Sequence, residues 1–181
     1  MIRKILPLGL MLGAAAVVWA GSFAPRIGAV REPDGSVRPL FGLLSNFVLG
    51  EPLPVGPALL AAFSDQAGLV LIKGRIELIS PDGSVIGSYA TGETNAILDI
   101  ADGPDTALAW LPLAGRFVRW NGRAFIDYAF DASRISGSIR AVRLLDSAHA
   151  EVLVANGDTL ECISISITDG VPVRSEMLPG A

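Results

Sequence analysis

Few side chains in this sequence have the chemistry for catalysis or ligation. His149 is the only histidine and Cys162 the only cysteine. One histidine cannot build a multi-histidine metal site, and His149 stands in a polar stretch without a sequence-adjacent partner that would mark it as a base or a ligand. It reads as a turn residue. Cys162 lies in Leu160-Glu161-Cys162-Ile163-Ser164-Ile165-Ser166-Ile167 and alternates with three isoleucines, so on a strand it falls on the opposite face. With no second cysteine it forms no intrachain disulfide and reads as a packed thiol, free to pair between chains. The oxygen-rich stretches Asp102-Gly103-Pro104-Asp105 and Asn156-Gly157-Asp158 lack the ligand spacing of a calcium loop and read as hairpin turns. Residues Gly42 to Gly56 are glycine-containing, yet they have no lysine, no Gly-Lys-Ser and no following helical pattern, so no phosphate cradle is expected. Neither a metal nor a cofactor is expected.

These side chains are carried by 181 residues, of which 51% are hydrophobic and 18% charged, with a formal net charge of −4. That balance excludes a disordered chain and a disulfide-stapled scaffold. It also argues against a nucleic-acid partner, which needs clustered Lys and Arg, whereas lysine occurs only as Lys4 and Lys73.

Arg3 and Lys4 precede an uncharged run from Ile5 to Ala20 that ends in Val18-Trp19-Ala20, the tripartite pattern of a secretory signal. Cleavage is expected after Ala20, because a cut after Ala24 would place Pro25 immediately beyond it. The alternative is an uncleaved membrane anchor, since the run is only slightly short of the roughly 20 residues that span a bilayer. Removing residues 1–20 leaves 12 basic against 18 acidic residues. The expected location is periplasmic or extracellular, with the membrane touched only through that segment.

From Pro25 onward, short alternating apolar runs separated by Gly, Asp, Asn and Pro predict an all-β fold. Internal similarity is stronger still. Arg26-Ile27 followed by Pro33-Asp34-Gly35-Ser36-Val37 matches Arg75-Ile76 followed by Pro81-Asp82-Gly83-Ser84-Val85. Each copy is a hairpin whose Asp-Gly pair takes the tight turn. Degraded copies turn at Asn121-Gly122 and Asp169-Gly170, so Asx-Gly turns stand at residues 34, 82, 121 and 169. Ahead of the last three hairpins lies a further apolar pair: residues 58–63 with 69–73, 96–101 with 107–111, and 139–145 with 151–155. The unit is four strands in about 40 residues, the signature of a β-propeller blade.

With that unit, the chain resembles the YVTN/NHL-like bacterial extracytoplasmic propellers and, more distantly, the WD40 type, with Val118-Arg119-Trp120-Asn121 standing where a Trp-Asp pair closes a third strand. The resemblance covers Pro25 to Leu178 and implies the fold, but no functional residue. The alternative is a two-sheet sandwich. Parsed as blades, residues 21–181 comprise a half-blade over 25–42, a linker over 43–57, and blades over 58–90, 96–130 and 139–178. Three and a half blades are fewer than the about four to eight that close a ring. An open or incomplete ring is therefore expected, with the first half-blade lacking its two inner strands and with self-association possible through open edges.

In such a fold, ligands meet the loops between blades and those between second and third strands, here 91–95, 114–116, 131–137 and 155–158. Glu93, Arg116, Asp131, Arg134 and Asp158 are the candidate binding residues. Trp110, Trp120, Tyr89 and Tyr128 fall inside strands, where packing between blades is the default role. The expected function is an exported, non-enzymatic propeller-type module that binds a protein or small ligand. The alternatives are a part of a periplasmic propeller lyase or hydrolase, or a truncated gene product.

Overall fold

The computed structural model describes residues 25–43, 46–101 and 106–178. The leader expected over 1–20 and the turn Asp102-Gly103-Pro104-Asp105 lie outside the described residues. The described chain is all-β and propeller-like. Strands β1 (Arg26–Arg31), β2 (Val37–Leu43) and β3 (Asn46–Leu49) form the first sheet. The second holds β4 (Ala58–Phe63), β5 (Gly68–Ile72), β6 (Arg75–Ile79) and β7 (Val85–Ala90). The third holds β8 (Ile97–Ile100), β9 (Ala107–Leu111), β10 (Arg116–Trp120) and β11 (Phe125–Ala129). The fourth holds β12 (Ser138–Leu144), β13 (His149–Asn156), β14 (Thr159–Ser166) and β15 (Val171–Met177). Each sheet is an antiparallel meander in chain order, and the four do not close a ring.

The repeated Pro-Asp-Gly-Ser turns have one geometry. In both, the Asp carboxylate accepts the backbone N–H two residues on, Ser36 to Asp34 at 2.8 Å and Ser84 to Asp82 at 3.0 Å. The glycine takes φ +88° at Gly35 and +87° at Gly83, where a Cβ is strained. Their places in the blade differ, however. The second copy joins the third and fourth strands of its sheet, while the first joins β1 and β2. β1 stands against β4 as β4 stands against β8 and β8 against β12. The N-terminal hairpin is therefore the inner half of its sheet, not the outer half the sequence similarity suggested, because packing on the next sheet decides a strand's place and a turn motif does not.

The linker expected over 43–57 is corrected too. Residues Asn46–Leu49 form β3, paired in register with β2 as Leu40 with Leu49, Phe41 with Val48 and Gly42 with Phe47. Gly42 permits that pairing, since a Cβ there would meet the Asn46 carbonyl oxygen at 2.3 Å. The rest of the segment turns back along the sheet, with the Gly50 N–H bonded to the Pro39 carbonyl and the Leu53 N–H to that of Val37.

Core packing explains the sequence pattern. β5 and β9 are buried at every position, as expected for strands covered on both faces. Leu69 and Leu71 face the third sheet, while Val70 and Ile72 face the first. In β9, Ala107, Ala109 and Leu111 face back to the second sheet and Leu108 and Trp110 face the fourth. In the fourth sheet, burial alternates along β13, because only the Ala150, Val152 and Val154 side meets a neighbour. A two-layer sandwich would leave each sheet one polar face; the two middle sheets have none.

Candidate functional site

The candidate residues sit in loops whose positions follow from strand direction. The Leu144 N–H at the end of β12 donates to Asp99 Oδ2 on β8 at 3.0 Å, and Asp99 is itself near the end of β8. β8 and β12 thus run the same way, and their starting ends share one rim. That rim carries the loop before β8, the loop before β12, and the turns β9–β10 and β13–β14. The loops approach in pairs. The Ala114 N–H in the β9–β10 turn donates to Glu93 Oε1 at 2.7 Å. A Cβ on Gly137 would meet the Ala155 carbonyl at 2.3 Å, so the loop before β12 lies directly on the end of β13.

Glu93 is not the exposed loop charge expected of it. It is 4% exposed, its N–H donates to Thr91 Oγ1 at 3.2 Å, and its Oε2 is buried with no protein partner. It acts as a brace between two loops. Arg116 lies at the start of β10 and pairs with Asp127 on the adjacent strand, its register neighbourhood being Arg116 with Ala129 and Val118 with Asp127. The Tyr89 hydroxyl, with Asp127, holds the guanidinium above its ordinary pKa. The Arg116–Asp127 pair thus spans adjacent strands of the third sheet at a part-exposed position.

Asp131 precedes a single 3-10 turn, Ala132–Arg134, and Arg134 ends it. Asp131 caps it, accepting from the Ser133 N–H at 3.0 Å and from Ser133 Oγ at 2.6 Å. The Ser133 hydroxyl and amide, with Arg134 beyond, keep this carboxyl below the usual Asp range. Arg134 Nε stands 3.8 Å from Asp131, and its Nη1 reaches the Gly170 carbonyl at 3.4 Å in the β14–β15 turn. Asp158 is exposed in the β13–β14 turn. The structure therefore joins Asp131 with Arg134, leaves Asp158 exposed in the β13–β14 turn, buries Glu93 as a brace between two loops, and holds Arg116 in a part-exposed ion pair with Asp127.

Among the described residues, no three His, Cys, Asp or Glu side chains gather as a cation cluster. His149, expected to lack a nearby partner, has one. Its Nδ1 lies 2.9 Å from Asp146 Oδ2, and Asp146 also accepts the Ala148 N–H at 2.7 Å and the His149 N–H at 2.9 Å. The pair closes the β12–β13 turn on an exposed surface, and the adjacent Ser166 hydroxyl is engaged with Thr168 at 3.0 Å. Cys162 is half-buried on the face opposite Ile163 and Ile165, with Glu151, Ser164, Arg174 and Glu176 around it. Burial, with the Glu151 charge, pushes its thiol up.

A second polar clamp was not anticipated. Arg119 is buried at 6% exposure and donates to the Ser147 carbonyl at 2.6 Å, while Asp99 takes the Leu144 N–H, so one row of the third sheet holds the β12–β13 turn. The signal was available: Asp99 and Arg119 are charges inside otherwise apolar strands. A cleft of about 230 Å³ lies between the second and third sheets at the opposite rim, bordered by Gln66, Leu78, Ile86, Ile100 and Trp120.

No known family matches the chain, and no curated protein sequence matches it. Among solved structures it is similar to Hsv2 of Kluyveromyces marxianus, a β-propeller protein, with a TM-score of 0.52 and 13% identity over 84% of this chain and 48% of that one. It is also matched with Kluyveromyces lactis Hsv2 at a TM-score of 0.44 and 10% identity, over 80% of this chain and 48% of that one. The chain thus spans about half the length of the propellers it matches. At this identity the likeness concerns the fold alone, and its conclusion is that the chain has a propeller-like architecture of four sheets without a closed ring.

Proposed function

We propose that this chain is an exported, non-enzymatic propeller-type module of the YVTN/NHL-like kind, and that it binds a protein or small ligand on the rim that carries Asp131, Arg134 and Asp158. The observation that carries the proposal is the pairing of loops there. One inter-sheet loop is pinned to the β9–β10 turn by Glu93 on Ala114, and the other runs directly onto the end of β13, where Gly137 approaches Ala155. The base is rigid and the exposed charges stand above it, an arrangement that presents side chains with little ordering cost on binding.

The test is a binding screen of the full chain against short acidic, basic and apolar peptides and small organic anions, read by calorimetry. A binder should lose several-fold in affinity on Arg134→Ala or Asp158→Ala and be indifferent to Val85→Ser, at the exposed start of β7 on the opposite rim. A binder unaffected by either rim substitution, or turnover of any of these compounds, overturns the proposal. For the export step, N-terminal sequencing of the protein recovered outside the cytoplasm should begin at Gly21; recovery only inside the cytoplasm refutes it.

A further inference from the structure

The cleft between the second and third sheets is bordered on one side by the Trp120 indole, at the end of β10, and on the other by Leu78 of β6 and Ile86 of β7. Position 87 explains how the indole reaches across. Gly87 stands opposite Leu78 in the β6–β7 ladder, and a Cβ there would meet Cζ3 of Trp120 at 2.3 Å, so the missing side chain lets the ring lie on β7. Phe125 holds the ring from its own sheet, with centroids 5.2 Å apart, and Trp120 is 6% exposed.

The ring is seated on Gly87 through its Cε3, Cζ3 and Cη2 edge, which leaves the indole N–H on the opposite edge. A buried indole normally gives that N–H an acceptor. Among the described residues, no protein acceptor stands within hydrogen-bond reach of Trp120 Nε1. The cleft itself measures about 230 Å³, above the roughly 150 Å³ of an apolar cavity that takes benzene and below the roughly 300 Å³ at which sites for drug-sized ligands begin. That is room for two fused rings. Its walls are mainly apolar, with the Gln66 side chain at the β4–β5 turn, and none of the described lining residues is charged. An ionised group entering it would lose water without gaining a counter-charge.

We infer that this cleft is a binding site for an uncharged, two-ring aromatic compound with one hydrogen-bond acceptor: the rings pack against Leu78, Ile86 and Ile100, and the acceptor takes the Trp120 N–H. Each property of the ligand has its own source. The volume sets its size, the uncharged lining sets its neutrality, and the unpartnered indole N–H sets the acceptor. Ile86 is 49% exposed, so a ligand seated there also covers an apolar side chain that the fold leaves open to water. The site lies on the rim opposite Asp131, Arg134 and Asp158 and does not rest on the reading of that rim.

Coumarin, neutral and two-ringed with a carbonyl acceptor, is the probe, titrated into the ¹⁵N-labelled full chain and followed by proton–nitrogen correlation spectra. The Trp120 indole cross-peak, assigned by its disappearance in Trp120→Phe, should shift saturably, while that of Trp110, packed between the third and fourth sheets, should stay in place. Trp120→Phe keeps a ring but loses the donor, so calorimetry should show coumarin binding weakened by about 2–10-fold, the worth of one neutral hydrogen bond. Coumarin-3-carboxylate should bind at least about tenfold more weakly than coumarin to the wild type. Ile86→Ala, at a half-exposed position, should weaken coumarin several-fold with the melting temperature unchanged, and it decides the matter if Trp120→Phe does not fold. No saturable shift at Trp120, undiminished affinity in Trp120→Phe or in Ile86→Ala, or equal binding of the carboxylate overturns the inference.

Discussion

Glu93→Ala separates a brace from a ligand-binding charge. The carboxylate is 4% exposed and accepts the Ala114 N–H at 2.7 Å, tying the loop before β8 to the β9–β10 turn. A hydrogen bond to a charged group contributes about 1.5–3 kcal/mol. For a chain of this length, that corresponds to a fall in Tm of roughly 3–12 °C on removal. Glu93→Gln behaves differently. Its carbonyl keeps the bond to Ala114, and the substitution removes a charge from a site where Oε2 has no protein partner, so stability should stay within about 0.5 kcal/mol of wild type or rise. Thermal unfolding by circular dichroism at pH 7, with denaturant titration as a second measure, reads both variants. If Glu93→Ala melts with the wild type, the bracing role is refuted; if Glu93→Gln is as damaging as Glu93→Ala, the charge rather than the hydrogen bond is required.

Other outcomes follow from the packing and the turns. Phe117 is fully buried between the third and fourth sheets, with its ring 4.7 Å from Trp110 and 5.4 Å from Phe130, so Phe117→Ala should cost about 3–5 kcal/mol by denaturant titration, whereas Leu113→Ser, at an 84% exposed site, should cost almost nothing. Gly137→Ala places a Cβ 2.3 Å from the Ala155 carbonyl at φ +126°, so a loss of about 1–3 kcal/mol is expected, and unchanged stability would show that the loop before β12 is not seated on β13. Asp82 is held below the usual range first by the Ser80 hydroxyl and then by the Ser84 amide, and Asp146 first by the Ala148 amide and then by the His149 ring. Carboxyls with depressed folded-state pKa values stabilise the fold above their unfolded value and lose that contribution as pH falls, so Tm should hold from neutral pH and drop below about pH 4. Asp82→Asn should flatten that drop without harm at pH 7, since Asn121 makes the same turn with its Oδ1 accepting from Arg123 and Ala124; a steeper drop would count against the turn carboxylates as its source.

The strands and their count within each blade were legible from residues 58 to 178, because the Asx-Gly turns and the apolar pairs between them are local signals read over a few residues. The pattern does not separate inner from terminal sheets: Leu69-Val70-Leu71-Ile72 and Val152-Leu153-Val154-Ala155 are both unbroken apolar runs, yet only the first is covered on both faces. β3 escaped notice because Asn46-Phe47-Val48-Leu49 is short and stands among glycines and prolines, and only its pairing with β2 makes it a strand. Of the candidate residues, the structure buries Glu93 as a brace between loops and pairs Arg116 with Asp127, contacts between residues distant in the chain that no local pattern announces.

The division follows from range. Turn chemistry and side-chain alternation are encoded in neighbouring residues, so the all-β class, the four-strand unit and the shared geometry of the turns at Asp34 and Asp82 are properties of the sequence itself. Which strand lies innermost, which loop charges become braces, and where an edge stays unpaired depend on contacts between residues far apart in the chain. Arg26-Ile27 and Arg75-Ile76 are nearly the same words, yet one opens the first strand of its sheet and the other the third, because the sheet each packs against differs.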